Sequence, residues 1–220
     1  MSSKQYAVIT ADIVNSSQLK NEPRAKLLSV LREIFKKIEQ MLPESVRTPF
    51  EIYRGDSFQG VLIDPAKALL ACIIIKVYLR KSFETTLKKA WDARIALGIG
   101  TIEFTSESTA EADGQAFRMS GPVLDVMRGE NRIIITTPWE DLNHEFEVSC
   151  AFFDIVFSRW SASQAEVVLE QLDGLTQQQI ADKLNISQVS VHQRLKTSGF
   201  YAVQKFLNRY ESIVQKMLDK

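Results

Sequence analysis

Residues 6–14, Tyr-Ala-Val-Ile-Thr-Ala-Asp-Ile-Val, form a β-rich apolar run without helical spacing. A strand that carries apolar side chains on both faces must lie inside a sheet that is covered above and below. The run therefore predicts a central strand near the N-terminus, with a layered fold built around it. Asp12 interrupts it, where a charge is costly unless it has a partner or a task.

The following segments supply the layers. Leu27, Leu28, Leu31, Ile34, Phe35, Ile38 and Met41 recur at three- and four-residue intervals, which predicts an amphipathic helix from Pro23 to Met41, ended by Pro43. The apolar stretches "PFEIY" and "FQGVLI" flank Tyr-Arg-Gly-Asp-Ser-Phe, so Gly55 and Asp56 read as the tip of a tight hairpin. A second apolar helix is expected from about Pro65 to Ser82, with the proline in its first turn. Residues 93–104 read as a strand whose glycines imply close approach of another segment. A polar loop over residues 105–114, a short helix broken near Gly121 and Pro122, and a strand within residues 132–137 complete the pattern. Strand, helix, strand, strand, helix, strand, helix, strand describes a ferredoxin-like α/β sandwich, with helices over one face of a mainly antiparallel sheet.

From about Pro138 the chain turns helical, and residues 161–220 contain two glycines and no proline. A boundary near Trp160 divides it into residues 1–160, with a connecting helix over Ser149–Trp160, and residues 161–220. The expected fold is thus α+β, a ferredoxin-like sandwich followed by an all-α domain.

Composition excludes partners chosen by bulk charge, because Lys plus Arg and Asp plus Glu both number 27. The longest apolar run, residues 68–75, is too short to span a bilayer, and the N-terminus lacks a secretory signal, so a cytoplasmic location is expected. Cys72 and Cys150 sit in apolar surroundings without metal-type spacing and read as small buried hydrophobes.

Residues 175–195, "LTQQQIADKLNISQVSVHQRL", have the pattern of a helix-turn-helix. Thr176 and Ser187 are placed to cap the two helices, Asn185 suits a left-handed turn, and Ile180, Ala181, Leu184, Val191 and Leu195 face inward. Ser187, Gln188, Val189, Ser190, His192, Gln193, Arg194 and Lys196 remain outward, and such groups suit base edges and phosphates in a major groove. DNA is therefore an expected partner. From residue 161 onward, however, seven basic residues face six acidic ones, so phosphate affinity would need a homodimer or a local patch.

The N-terminal motifs "ADIVNSS", "YRGDSF" and "ARIALGIGTIE" together resemble the catalytic domain of class III nucleotide cyclases, over roughly residues 5–137. The resemblance implies that Asp12, the carbonyl of Ile13 and Asp56 hold divalent metal ions, Mg or Mn, against a nucleotide triphosphate. Hard oxygen ligands at neighbouring strand ends suit such ions. Arg54, Arg94 and Arg118 are candidate phosphate partners, because guanidinium forks match phosphate oxygens. Two departures from the family pattern stand out. Ile52 occupies the place of the base-selecting lysine, and Arg118 and Pro122 that of the transition-state asparagine and arginine. The cyclase-like domain joined to a helix-turn-helix looks most like the SatD family of bacterial proteins.

Two readings follow. One is a DNA-binding regulator whose cyclase-like domain senses metal and a nucleotide or other phosphate. The other is a nucleotidyl cyclase or related phosphoryl-transfer enzyme, with the C-terminal unit as a dimerisation or regulatory module.

Overall fold

The computed structural model describes residues 4–16, 21–82, 91–103, 112–129 and 131–220. Its centre is β1 (Tyr6–Ile13), whose residues 7–11 are almost wholly buried. β1 pairs antiparallel with β3 (Ser57–Leu62) on one side and with β4 (Ala93–Gly100) on the other. β2 (Val46–Arg54) flanks β3, and the short β5 (Ile133–Thr136) runs parallel to β4, giving the order β2-β3-β1-β4-β5. The hairpin between β2 and β3 turns at Gly55, whose φ of 64° is a conformation that glycine adopts without strain.

Odd-numbered residues of β1, with Ile95, Leu97 and Ile99 of β4, point to one face. There they meet Leu27, Leu31, Ile34 and Ile38 of α1 (Asn21–Met41) and the apolar α2 (Ala68–Lys81), which a 3-10 turn over Pro65–Lys67 introduces. The opposite face is covered as well, although the sequence pattern predicts helices on one face only. α3 (Gln115–Arg118) packs on Val8 and Val61, and α4 (Gly121–Val126) on Ala96.

α3 approaches so closely that a Cβ at Gly98 would lie 2.3 Å from the Ala116 carbonyl oxygen, which is why bare backbone stands there. A buried chain of hydroxyls and amide fixes it: Gln59 donates to Thr10 at 2.7 Å, Thr10 to Ser120 at 3.0 Å, and Ser120 to the Phe117 carbonyl at 3.2 Å.

The remaining helices are α5 (Glu140–Ser158), α6 (Ala162–Leu172), α7 (Gln177–Leu184), α8 (Gln188–Thr197) and α9 (Phe200–Leu218). Their caps follow the sequence: Thr176 and Ser187 accept from backbone N–H groups of the first turns, and Asn185 is left-handed at φ 52°. They pack against the rest of the chain. Ala165, Val168, Ile180, Val191, Leu207 and Tyr210 belong to the same continuous core as α1, α2 and the sheet.

The reason lies in α2, which is apolar around its whole circumference and needs cover on its outer side, supplied by α6 and α9. Polar ties seal the joint. Tyr210 donates to the Pro65 carbonyl at 2.8 Å, the Trp160 indole to the Ser198 carbonyl at 2.7 Å, and Lys37 pairs with Asp173 at 2.6 Å. Among the described residues no helix is long and apolar enough to cross a membrane.

Candidate functional site

The end of β1 is where the charged residues collect. Asp12 lies opposite Arg94 in the antiparallel register of β1 and β4, so their side chains emerge side by side. The Arg94 guanidinium grips the carboxylate with two donors, Nε to Oδ1 at 2.9 Å and Nη2 to Oδ2, while its Nη1 donates to the Met127 carbonyl at 2.8 Å. This fork-on-carboxylate geometry is the strong form of the ion pair. The bond to Asp12 raises the Arg94 pKa despite partial burial, and the nearby charges of Asp125 and Asp56 add to the effect.

Asp56 arrives from the other direction. The hairpin turn after β2 carries it to β1, where its Oδ2 accepts a hydrogen bond from the Ile13 N–H at 3.1 Å. The backbone between Asp12 and Asp56 is thus a single bonded step, and both carboxylates stand at one corner of the sheet. Their side chains are not sealed: Asp12 retains 18% exposure and Arg94 28%. Among the described residues no group of three or more histidine, cysteine, aspartate or glutamate side chains surrounds this corner, and both oxygens of Asp12 are engaged by Arg94.

The other predicted residues are dispersed. Arg118 is exposed at the end of α3, where Glu103 at 2.5 Å and Asp113 at 3.0 Å hold it. α3 sits against Gly98 and Gly100, at the far end of β4 from Arg94. Pro122 lies in the first turn of α4. Ile52 is paired with Phe58 in the β2–β3 ladder. The side chain of Arg54 lies outside the described residues.

The expectation of a DNA-binding regulator is corrected here. α7 and α8 are built into the common core, and of the two cations expected near phosphate Arg194 is engaged within the chain. Lys183 pairs with Glu170 at 2.6 Å, and Arg194 pairs with Glu166 at 3.9 Å while donating to the Ser163 carbonyl. Ser187 and Ser190 bond each other at 2.9 Å. Gln188, Val189, His192, Gln193 and Lys196 are exposed, but with a nearly neutral background they leave no basic stripe for a polyanion.

Sequence reasoning missed a second charged cluster. Lys76 of α2, fully buried, donates to Asp92 at 2.8 Å, lies 3.7 Å from Asp154 of α5, and stands over the Phe157 ring. Asp154 accepts from the N–H groups of Arg132 and Ile133, and burial pushes its carboxyl pKa up against the opposing pull of Lys76. The signal was a lysine within the apolar run of α2. Burial likewise raises both cysteine thiols well above their ordinary range, which keeps them neutral and inert.

Comparison with known proteins agrees with part of this. No curated protein matches the chain in sequence. Among solved structures it is similar to the monomeric guanylyl cyclase domain of the RhoGC fusion protein from the aquatic fungus Blastocladiella emersonii. That likeness has 19% identity and a TM-score of 0.44, over 66% of this chain and 86% of the other. The catalytic core of a rhodopsin-guanylyl cyclase with converted specificity, in complex with ATPalphaS, gives 16% and 0.43 over 57% and 74%. The adenylyl cyclase CyaB from P. aeruginosa gives 15% and 0.42 over 60% and 76%. Likenesses of this size carry no argument about the site, which rests on its own geometry. The sequence itself matches one family over residues 6–212, through the sheet and the C-terminal helices alike, and by that match the chain belongs to the SatD family.

Proposed function

We propose that this chain is a nucleotide-dependent phosphoryl-transfer enzyme of the nucleotidyl cyclase kind, with its site at the end of β1. The observation that carries the reading is the meeting of Asp12 and Asp56 from separate elements, tied through the Ile13 N–H at 3.1 Å. The carboxylate oxygens are donors of the type that Mg or Mn takes, so the residues fit such an ion, on the condition that Arg94 releases Asp12. A bound ion would neutralise phosphate charge and polarise the reacting phosphoryl group.

The residues of the chain supply the rest. Asp12 and Asp56 hold the cation, together with the Ile13 carbonyl. Arg94, once freed from Asp12, keeps its anchor on the Met127 carbonyl and turns its remaining donors to phosphate oxygens. Arg118 is too far along β4 to share this work and serves the Glu103–Asp113 contacts instead. Ile52 in the place of the family's base-selecting lysine leaves the base unspecified by charge. The C-terminal helices, in this reading, brace α2 rather than contact the nucleotide.

The test is incubation of the full chain with Mn and each nucleoside triphosphate, with products read by mass spectrometry and binding by calorimetry. The expected result is cation-dependent binding, lost in Asp12→Asn and Asp56→Asn, and a product that disappears with it. Binding that is indifferent to both substitutions overturns the site. Binding without any product overturns the enzyme and leaves a sensor.

A further inference from the structure

The outer face of α5 is apolar and uncovered. Val148, Phe152 and Ile155 are 58%, 66% and 52% exposed, and their spacing of four and three residues sets them in one stripe along the helix. Large apolar side chains in a row on solvent mark an interaction surface, whereas isolated ones do not. Beside the stripe, between α5 and α9, runs a groove of about 180 Å³ lined by Phe152, Phe153, Val156, Val203 and Phe206.

The ends of the stripe are charged, and with opposite sign. Asp141 stands in the first turn of α5, and Arg159 caps its C-terminus with helical backbone angles. At 3.6 residues per turn their separation is about five whole turns, so both lie on the line of Val148 and Phe152. Both are exposed, and among the described residues neither forms an ion pair. Acid, three apolar residues and base, with Glu145 beside them held by Arg209 of α9, make a pattern whose charged ends are complementary when reversed. An isologous interface about a two-fold axis requires that property.

We propose that a second copy of this chain covers the stripe, its α5 lying antiparallel across a two-fold axis. Asp141 of each copy then meets Arg159 of the other, Val148 stands opposite Phe152, and the groove beside α9 receives the second copy's Phe152 ring. Antiparallel helices also set the positive N-terminal end of one beside the negative C-terminal end of the other. A lipid surface is a poorer occupant, since the face carries Asp141, Glu145 and the neighbouring exposed Glu147 against two cations, Arg159 and Arg209. The surface is distinct from the Asp12–Asp56 corner and does not depend on its function.

Sedimentation velocity of the full chain over a concentration series tests the proposal, with circular dichroism to verify that each variant is folded. Reversible monomer–dimer association is expected for the natural sequence. Phe152→Glu should raise the dissociation constant by at least about tenfold, as loss of a central aromatic anchor does. Asp141→Arg should weaken the dimer by placing like charges together, and the double exchange Asp141→Arg with Arg159→Asp should restore it. A chain that stays monomeric throughout the micromolar range overturns the proposal and leaves the face to a different protein. So does a dimer indifferent to Phe152→Glu. Failure of the double exchange to rescue overturns the antiparallel arrangement.

Discussion

Two charged clusters stand where β1 ends and β4 begins, on opposite faces of the same sheet, and they differ in what surrounds them. On the α2 side, Lys76 is fully buried between Asp92 and Asp154, while the two carboxylates line a cavity of about 490 Å³ and Asp92 keeps 17% exposure. On the α4 side, Asp12 and Arg94 have similar bonds but remain partly open. In the first cluster the sealed charge is that of Lys76, which cannot lose its partners without being left uncompensated in the interior. In the second, the cation is itself partly exposed, so both partners of the pair keep contact with solvent. Cation–carboxylate pairs thus bury the cation between layers in one place and leave it in contact with solvent in the other.

Removing the lysine should break the enclosed cluster most severely. Lys76→Ala leaves Asp92 and Asp154 facing each other under α5, and a loss of about 3–5 kcal/mol is expected in urea unfolding. A loss below about 1 kcal/mol would mean that the cluster is as adaptable as its counterpart.

Gly98→Ala probes the thinner helical layer on the same face of the sheet as the open cluster, since the added Cβ would meet the Ala116 carbonyl at 2.3 Å and push α3 off the sheet. Overpacking of this kind costs about 1–3 kcal/mol. Crystallography or hydrogen exchange should locate the change at α3, and stability within error of the natural sequence would show that α3 adapts freely.

Asp12→Asn and Asp56→Asn should give the reverse signature of Lys76→Ala. Cation-dependent nucleotide binding falls at least about tenfold, while stability changes by no more than about 1 kcal/mol, as for a partly exposed pair. If either variant unfolds the protein, the open cluster is structural after all.

The smallest effect concerns pH. Burial raises the Asp154 pKa, so folding favours its protonated form. Its contribution is complete below the ordinary aspartate value near 3.9 and is lost as pH rises through the folded value. The stability of the natural chain relative to Asp154→Asn should therefore decline from pH 4 towards neutrality, and a difference that grows with pH would reverse the assignment.

The sequence made some of this legible. β1 was readable from its two-sided apolar run, α1 from its spacing, and the hairpin from Gly55 and Asp56. α3 and α4 were hard to place because helices of four and six residues have too few turns to show a period. What held them was the bare backbone at Gly98 and Gly100, and those glycines announced a close approach without naming what approached.

Asp12 and Asp56 could be singled out as odd carboxylates, but the grip of Arg94 on Asp12 depends on a cross-strand register that no local pattern encodes. At the C-terminus the caps at Thr176 and Ser187 were correctly placed, while the DNA-binding reading was overturned. α2 carried the warning, since a helix apolar on every side cannot be finished by one layer of sheet.

That last property has a consequence for synthesis. α2 leaves the ribosome long before α6 and α9 exist, so the nascent chain carries the bare outer surface of an apolar helix until Tyr210 and its neighbours can close over Pro65. Such surface is what drives incomplete chains to aggregate. A transcript broken between the end of α2 and the start of α6 is therefore expected to yield a product that aggregates rather than one that is merely inactive.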